Sequence, residues 1–180
     1  RQRQMCIRDS DSATLKGTSY IEQMVVRYLG SLEALNDYKK YPTSWSYTPS
    51  DPSMVKDWEE AVATKPKASK TFLKEYGSLY GSLLHATKFR GDICATMGLA
   101  GTCLTFPTEK MHGWLVRTLV YLGRTRQLGV HYSNRGNHAY ELRCYADSNW
   151  TETRSTTGFV IMLAGATISH VSKRQHCITM

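Results

Sequence analysis

Apolar residues recur at helical spacing over the first two thirds of the chain. From Thr18 to Gly30 they occupy positions i, i+3, i+4, i+7 and i+8, which predicts a helix with Gly30 as its C-cap. Three further helices are predicted by the same spacing, over about 72–89, 92–104 and 108–126. Within the helix predicted over 72–89, Gly77 and Gly81 lie four residues apart, where a neighbouring helix could approach closely.

The pattern changes after Gly129. Short segments rich in Val, Ile, Tyr and Thr alternate with turn residues, and they cover 130–133, 140–147, 156–163 and 166–172. These segments predict an antiparallel meander. Residues 41–53 contain three prolines and predict an extended linker. The expected fold class is therefore α+β, with helices first and strands second.

Composition narrows the class of protein. The chain has 180 residues and five cysteines, an odd number without a C-x-x-C pair, which favours reduced thiols over a disulfide framework or a zinc site. No apolar run reaches the roughly 18 residues that span a bilayer, and residues 1–8 lack the apolar stretch of a signal peptide. We expect an intracellular protein that is not secreted and does not enter a membrane.

The net charge of +8 is unevenly distributed. Residues 1–60 carry 8 bases and 9 acids, for a net charge of −1, whereas residues 61–180 carry 15 bases and 6 acids, for a net charge of +9. Such asymmetry indicates nucleic acid as a partner first and an anionic membrane second. A merely basic, solvated surface explains it equally well, because no run of five bases occurs.

Most catalytic signatures are absent from the sequence. There is no phosphate-binding G-x-x-x-x-G-K-[ST] loop or G-x-S-x-G elbow, and the six histidines lack metal-ligand spacing. The one adjacent acid pair, Glu59-Glu60, falls in an apparent helix and is expected to be solvated. Asp147 differs, because a carboxylate at the end of a predicted strand can reach a metal ion from a rigid backbone. The alternative is an Asx-turn cap for the following loop.

Four segments resemble, in order, the opening of the ribonuclease H domain of copia-type retrotransposon polyproteins. They are Tyr145-Ala-Asp-Ser-Asn-Trp150, Arg154-Ser-Thr-Thr-Gly-Phe-Val-Ile-Met-Leu163, Ala164-Gly-Ala-Thr-Ile-Ser169 and Ser172-Lys-Arg-Gln175. The resemblance implies a fold that is the incomplete start of a ribonuclease H-like domain.

Upstream segments are similar to the region that precedes this domain in the same family. These segments are Gly81-Ser-Leu-Leu84, Arg90-Gly-Asp-Ile93, Arg117-Thr-Leu-Val-Tyr-Leu-Gly123 and Tyr20-Ile-Glu-Gln-Met24. The resemblance implies four parts: 1–10 unassigned and a possible artefact, 11–53 the end of the reverse transcriptase with a Pro-rich linker, 54–133 a helical connection, and 134–180 the start of ribonuclease H.

The resemblance also implies a chemistry. Asp147 corresponds to the first catalytic aspartate, a ligand shared by two Mg²⁺ ions in cleavage of RNA/DNA hybrids. Two such ions need several converging carboxylates, and Mg²⁺ prefers oxygen ligands. The family's other ribonuclease H acids are expected beyond Met180 and its polymerase acids before Arg1, so we expect this piece to be catalytically incomplete. Asn149 replaces a usual aspartate and Gly91 a usual proline.

The resemblance implies an RNA/DNA hybrid as partner, together with the remainder of the polyprotein. Arg154, Lys173 and Arg174 are the bases expected to contact phosphates. The implied location is the cytoplasm, in a retrotransposon particle, with possible nuclear entry. Two alternatives stay open: a degenerate basic module that binds nucleic acid without catalysis, using the helical bases as well, and an unrelated intracellular interaction protein.

Overall fold

The fold was analysed in a computed structural model, which describes residues 5–9, 12–38, 52–133, 141–149 and 155–175. The predicted α+β class is confirmed. The helices are α1 (Thr18–Leu29), α2 (Pro52–Thr64), α3 (Lys70–Ala86), α4 (Cys94–Thr102) and α5 (Glu109–Arg124). The strands are β1 (Met5–Asp9), β2 (Ser12–Lys16), β3 (Val130–Ser133), β4 (Leu142–Asn149), β5 (Thr156–Leu163) and β6 (Ala166–Arg174).

The chain forms two compact units. The helical unit comprises the described residues from 17 to 128, and the strand unit comprises the described residues on either side of it, 5–9, 12–16, 129–133, 141–149 and 155–175. These two units are defined by which residues pack together, whereas the four parts predicted from the sequence are defined by a family resemblance. Those four parts therefore stay a prediction.

The helical unit holds the apolar core. The predicted apolar stripe of α1 is confirmed, with Ile21, Met24 and Val25 buried, and α5 buries its predicted stripe as well. Side-chain caps fix where two helices begin: Ser69 Oγ accepts the Phe72 N–H at 3.1 Å before α3, and Thr108 Oγ1 accepts the Met111 N–H at 3.2 Å before α5.

Gly30 ends α1 with a φ of +88°, which side chains rarely adopt and which explains a glycine at this C-cap. The predicted third helix is divided, since a short 3-10 helix over Gly91–Ile93 precedes α4.

The predicted close approach at Gly77 and Gly81 is wrong. A Cβ atom built at either position would meet no atom within 4 Å among the described residues. Gly123 of α5 is one glycine that does allow close packing, since a Cβ there would lie 2.8 Å from the Leu35 side chain and 3.0 Å from the Val25 side chain. Gly77 and Gly81 lie instead on the side of α3 that faces away from its buried residues.

The strand unit contains two antiparallel three-stranded sheets. One has the order β1-β2-β3 and the other the order β4-β5-β6. The meander of β4, β5 and β6 is as predicted, but the first predicted segment, β3, pairs with β2 and not with the strand that follows it. The β1–β2 hairpin was not predicted. It provides an edge for β3 through pairs such as Leu15 with Val130.

Parts of two predictions fall outside the described residues. Residues 39–51 include most of the predicted linker, and only its last two residues are described, where they begin α2. Residues 134–140 include the turn expected after β3 and the predicted first residue of the next strand.

Cys94, Cys103 and Cys144 are free thiols. Burial raises the pKa of the Cys103 thiol, which the hydrogen bond with Thr102 lowers only in part. Among the described helices, none combines the length and the apolar character needed to cross a membrane.

Candidate functional site

Asp147 lies on β4 with its side chain exposed. Its Oδ1 atom accepts the backbone N–H of Ser148 at 2.8 Å. The strand does not end at Asp147 as predicted, because Ser148 and Asn149 continue the ladder opposite Thr157 and Thr156 of β5. Asp147 is therefore carried by paired backbone on both sides, which argues against the Asx-turn cap considered in the sequence.

A row across the sheet places Asp147 opposite Gly158 of β5, and Gly158 opposite Ser172 of β6. Directly opposed residues of antiparallel strands point to the same face of a sheet. A Cβ atom at Gly158 would meet only the carbonyl oxygens of Val171 and Asp147, at 3.7 and 3.9 Å. Glycine thus places no side chain beside the carboxylate in this row.

The described residues do not fit the two Mg²⁺ ions that the resemblance implies. Among them, no three His, Cys, Asp or Glu side chains converge to hold a metal ion. In the described part of β4, β5 and β6, Asp147 is the one acid, and Glu141, just before β4, is engaged by Arg143 Nη2 at 2.8 Å. A single exposed carboxylate cannot neutralise two divalent ions.

Of the three bases predicted to contact phosphates, the side chain of Lys173 alone is described, and it does not lie beside Asp147. Lys173 is exposed and pairs with Thr157, one position along from the row of Asp147, so it belongs to the opposite face of the sheet. The backbone of Arg174 pairs with Thr156 at the end of β6. Arg154 lies outside the described residues.

Several bases of the helical unit make internal contacts. Arg124 Nη2 donates to the Leu35 carbonyl at 2.9 Å, and Arg126 Nε lies 3.1 Å from Glu22 Oε1. The Arg117 guanidinium stacks over the Trp114 ring at 4.7 Å. These arginines of the α5 region therefore serve packing within the unit, which weakens the alternative that they bind phosphates.

Arg90 and Asp92, part of a segment singled out by the resemblance, also have a structural role. Arg90 is 4% exposed, binds both carboxylate oxygens of Asp92, and donates through Nη1 to the Thr125 carbonyl at 3.0 Å at the end of α5. Tyr121 donates to Asp92 Oδ2 at 2.6 Å. Burial favours a higher pKa for Asp92, but the hydrogen bonds from Arg90 and Tyr121 outweigh it and hold the pKa below its ordinary value.

Comparison with known proteins finds two relatives from Arabidopsis thaliana and one from Plasmopara viticola. The chain is 31% identical over 105 residues to the "Retrovirus-related Pol polyprotein from transposon RE1" of Arabidopsis thaliana and 30% identical over 105 residues to that "from transposon RE2". Each match covers 56% of this chain and 7% of the relative. The chain thus spans a small part of these proteins. The expected similarity to retrotransposon Pol polyproteins is confirmed, whereas the copia type and the ribonuclease H part stay predictions.

The third relative is the "Secreted RxLR effector protein 161" of Plasmopara viticola, 27% identical over 110 residues, which are 58% of this chain and 76% of that protein. No family model matches the chain. No solved structure matches it either.

Proposed function

We propose that the chain is a segment of a copia-type Pol polyprotein that runs from the end of the reverse transcriptase through a helical connection into the start of ribonuclease H. Support comes from its similarity to two retrovirus-related Pol polyproteins. The observation that carries the proposal is the exposed Asp147 carboxylate, presented by a paired strand opposite Gly158, which has no side chain.

In the whole polyprotein, the proposed activities are RNA-directed DNA synthesis and cleavage of RNA/DNA hybrids. There, Asp147 would contribute one carboxylate to the hybrid-cleaving site, where bound Mg²⁺ would supply charge neutralisation at the phosphodiester. Oδ1 of Asp147 is oriented by the Ser148 N–H, and the other carboxylate oxygen has no hydrogen bond with a described residue. The described residues of β4, β5 and β6 present one acid where the chemistry needs several, and we propose that the chain is catalytically incomplete.

A Mg²⁺ titration followed by amide NMR tests the role of Asp147. We expect small shifts at Asp147 and Ser148 that do not saturate at millimolar Mg²⁺, because a lone carboxylate binds weakly. These shifts should vanish in Asp147→Asn and persist in Asp37→Asn, a control at another exposed aspartate. Saturable binding of two ions would contradict catalytic incompleteness. Amide shifts at position 147 that persist in the Asp147→Asn variant would contradict the role of the Asp147 carboxylate as a ligand.

A second candidate is a basic module that binds nucleic acid without catalysis. The observation that favours it is Lys173, exposed on the face of the β4-β5-β6 sheet opposite to Asp147. Binding of this kind weakens steeply as salt rises. Affinity for an RNA/DNA hybrid that is independent of salt would reject this candidate.

The proposed setting follows from the polyprotein. The remainder of the polyprotein is the proposed protein partner, and the proposed location is the cytoplasm, with entry to the nucleus. Fractionation of cells that express the chain with a small epitope tag tests this location, and recovery of the chain from the culture medium would contradict it.

A further inference from the structure

The outward side of α3 carries a line of bases and glycines. Lys70, Lys74, Gly77 and Gly81 lie within about 60° of one another around the helix axis, as 3.6 residues per turn require. The buried residues of the helix, which include Tyr76, Leu79 and Leu83, lie on the other side. The line therefore faces away from the core of the helical unit.

The fold adds a further base to this line. Arg27, from α1, is exposed and its Nη2 atom lies 3.4 Å from Ser78 Oγ, one helical turn beyond Lys74. Lys67 is exposed just before α3 begins. We name these four residues, Arg27, Lys67, Lys70 and Lys74, the basic ridge.

Among the described residues, no acid forms an ion pair with a lysine of the basic ridge. Lys67, Lys70 and Lys74 are all exposed, and none forms a hydrogen bond or ion pair with another described residue. Glu75, the acid next to them, turns toward the flank of α3, where its Oε1 atom lies 3.8 Å from His112 Nε2. By contrast, Lys110 of α5 lies 2.6 Å from Glu60, as is common for surface lysines.

Gly77 and Gly81 have no side chains that project from the surface of α3 beside the lysines. A Cβ atom at Gly77 or Gly81 would meet no described atom within 4 Å, so these positions do not serve packing inside the helical unit. Each glycine in a helix interior costs roughly 0.5–1 kcal/mol relative to alanine. Their absent side chains leave room for a partner to lie close to the α3 backbone.

We propose that the basic ridge binds the phosphate backbone of a nucleic-acid duplex, with Gly77 and Gly81 giving the backbone access to α3. The nature of the partner rests on the proposed function. Lys70 and Lys74 are separated by about 6 Å of helix rise, and Ser78, where Arg27 joins, lies another 6 Å along. Regularly repeated cations suit a polymer that carries one negative charge per ~1.7 Å of duplex axis.

The test measures the affinity of the full chain for a 20-base-pair RNA/DNA hybrid at several salt concentrations. In Lys70→Gln/Lys74→Gln, we expect weaker binding and a slope of log affinity against log salt that is shallower by about 2, one unit for each lost phosphate contact. The control, Lys56→Gln/Lys88→Gln, removes the same charge from two other exposed lysines and should keep the slope.

The Gly81→Gln variant tests whether the hybrid needs access to the α3 backbone, because it leaves the charge of the basic ridge unchanged. Glutamine favours a helix more than glycine, so this variant should be at least as stable as the original chain. We expect weaker binding of the hybrid with little change in the salt slope, because the new side chain blocks the approach to α3 without removing a cation.

Three results would overturn the proposal: equal slopes in the two double variants, unchanged affinity in Gly81→Gln, or binding to phosphatidylserine vesicles without binding to the hybrid. None of these results bears on Asp147. Failure of the proposed function would appear instead in the Mg²⁺ titration and in the hybrid-cleavage assay, which do not depend on the basic ridge.

Discussion

Arg90 and Asp92 form a two-contact ion pair, with Nη2 2.6 Å from Oδ2 and Nε 3.0 Å from Oδ1. The Arg90 side chain is 4% exposed and the Asp92 side chain is 34% exposed, so the guanidinium is buried while the carboxylate is partly exposed to solvent. The same guanidinium stacks over the Tyr121 ring at 5.1 Å and caps the end of α5 through Thr125. The pair thus joins the segment after α3 to the end of α5.

Asp92→Asn should lower the free energy of unfolding by about 3 kcal/mol, measured by urea denaturation. Removing one partner leaves the other charge buried without compensation, which typically costs about 3–5 kcal/mol, and the partial exposure of Asp92 favours the lower end. Asp37→Asn, at an exposed position, is the control and should stay within about 0.5 kcal/mol. Equal effects of the two substitutions would show that the ion pair contributes nothing.

The free energy of unfolding of the original chain and of Asp92→Asn, measured as a function of pH, shows whether the charge of the Asp92 carboxylate causes the difference. Because the folded state holds the pKa of Asp92 below its ordinary value, the carboxylate contributes stability at pH values above about 3.9. This contribution is lost as the pH falls below that value through the folded-state pKa. The difference between the original chain and Asp92→Asn should therefore shrink in acid. A difference that is constant down to pH 2 would assign the effect to packing.

Gly91→Pro should raise the free energy of unfolding by about 0.4–1 kcal/mol in thermal or urea denaturation. Gly91 is the first residue of a 3-10 helix, where φ is near that of proline, and Arg90 before it has an extended φ of −134°. Proline restricts the unfolded chain without straining such a position. Gly91→Ala should gain less, because alanine restricts the unfolded chain less. Destabilisation by proline would mean that the Gly91 N–H makes a needed hydrogen bond.

Gly81→Ala and Gly123→Ala should have opposite effects on stability. At Gly81, a Cβ has open space, and alanine should stabilise the chain by roughly 0.5–1 kcal/mol through helix propensity. At Gly123, a Cβ would press against Leu35 and Val25, and overpacking should destabilise by about 1–3 kcal/mol. Urea denaturation of both variants measures the difference, and effects of the same sign would contradict the described packing of α5.

Amides of the strand unit should exchange with solvent faster than those of α3 and α5 in hydrogen-exchange mass spectrometry. Among the strand-unit residues whose exposure is described, which exclude those of β1, Ala166 is the one buried apolar residue, whereas Tyr145 is 55% and Leu142 66% exposed. Sheets with few buried apolar contacts open at low free energy. Slower exchange in β4, β5 and β6 than in α5 would contradict this expectation.

The helices were predictable because their apolar stripes are long and regular, as in α1 and α5. The β1–β2 hairpin was not, since its strands have five residues each and its further partner, β3, is more than 110 residues away, with Thr14 opposite His131. The prediction that a helix packs closely at Gly77 and Gly81 was wrong because spacing does not show which side of a helix is buried. Spacing alone shows that two glycines share a side of α3, but only packing shows that this side faces outward.

The candidate site was predictable in part. The sequence identified Asp147 and the strands that flank it, because local pattern defines a short meander. It did not show that β4 continues to Asn149, or that Lys173 belongs to the face opposite Asp147, because both depend on pairing between strands. Nor could spacing along the chain reveal that Arg27 reaches Ser78, since this contact joins two helices.

Cleavage of an RNA/DNA hybrid tests the central claim most directly. The purified chain and its Asp147→Asn variant are incubated with a labelled hybrid and millimolar Mg²⁺, and the products are compared with those of matched double-stranded DNA. Because Asp147 is the one carboxylate that the described β4-β5-β6 sheet offers, we expect no hybrid-specific cleavage by either protein. Hybrid-specific cleavage that Asp147→Asn abolishes would contradict the claim that this chain is catalytically incomplete.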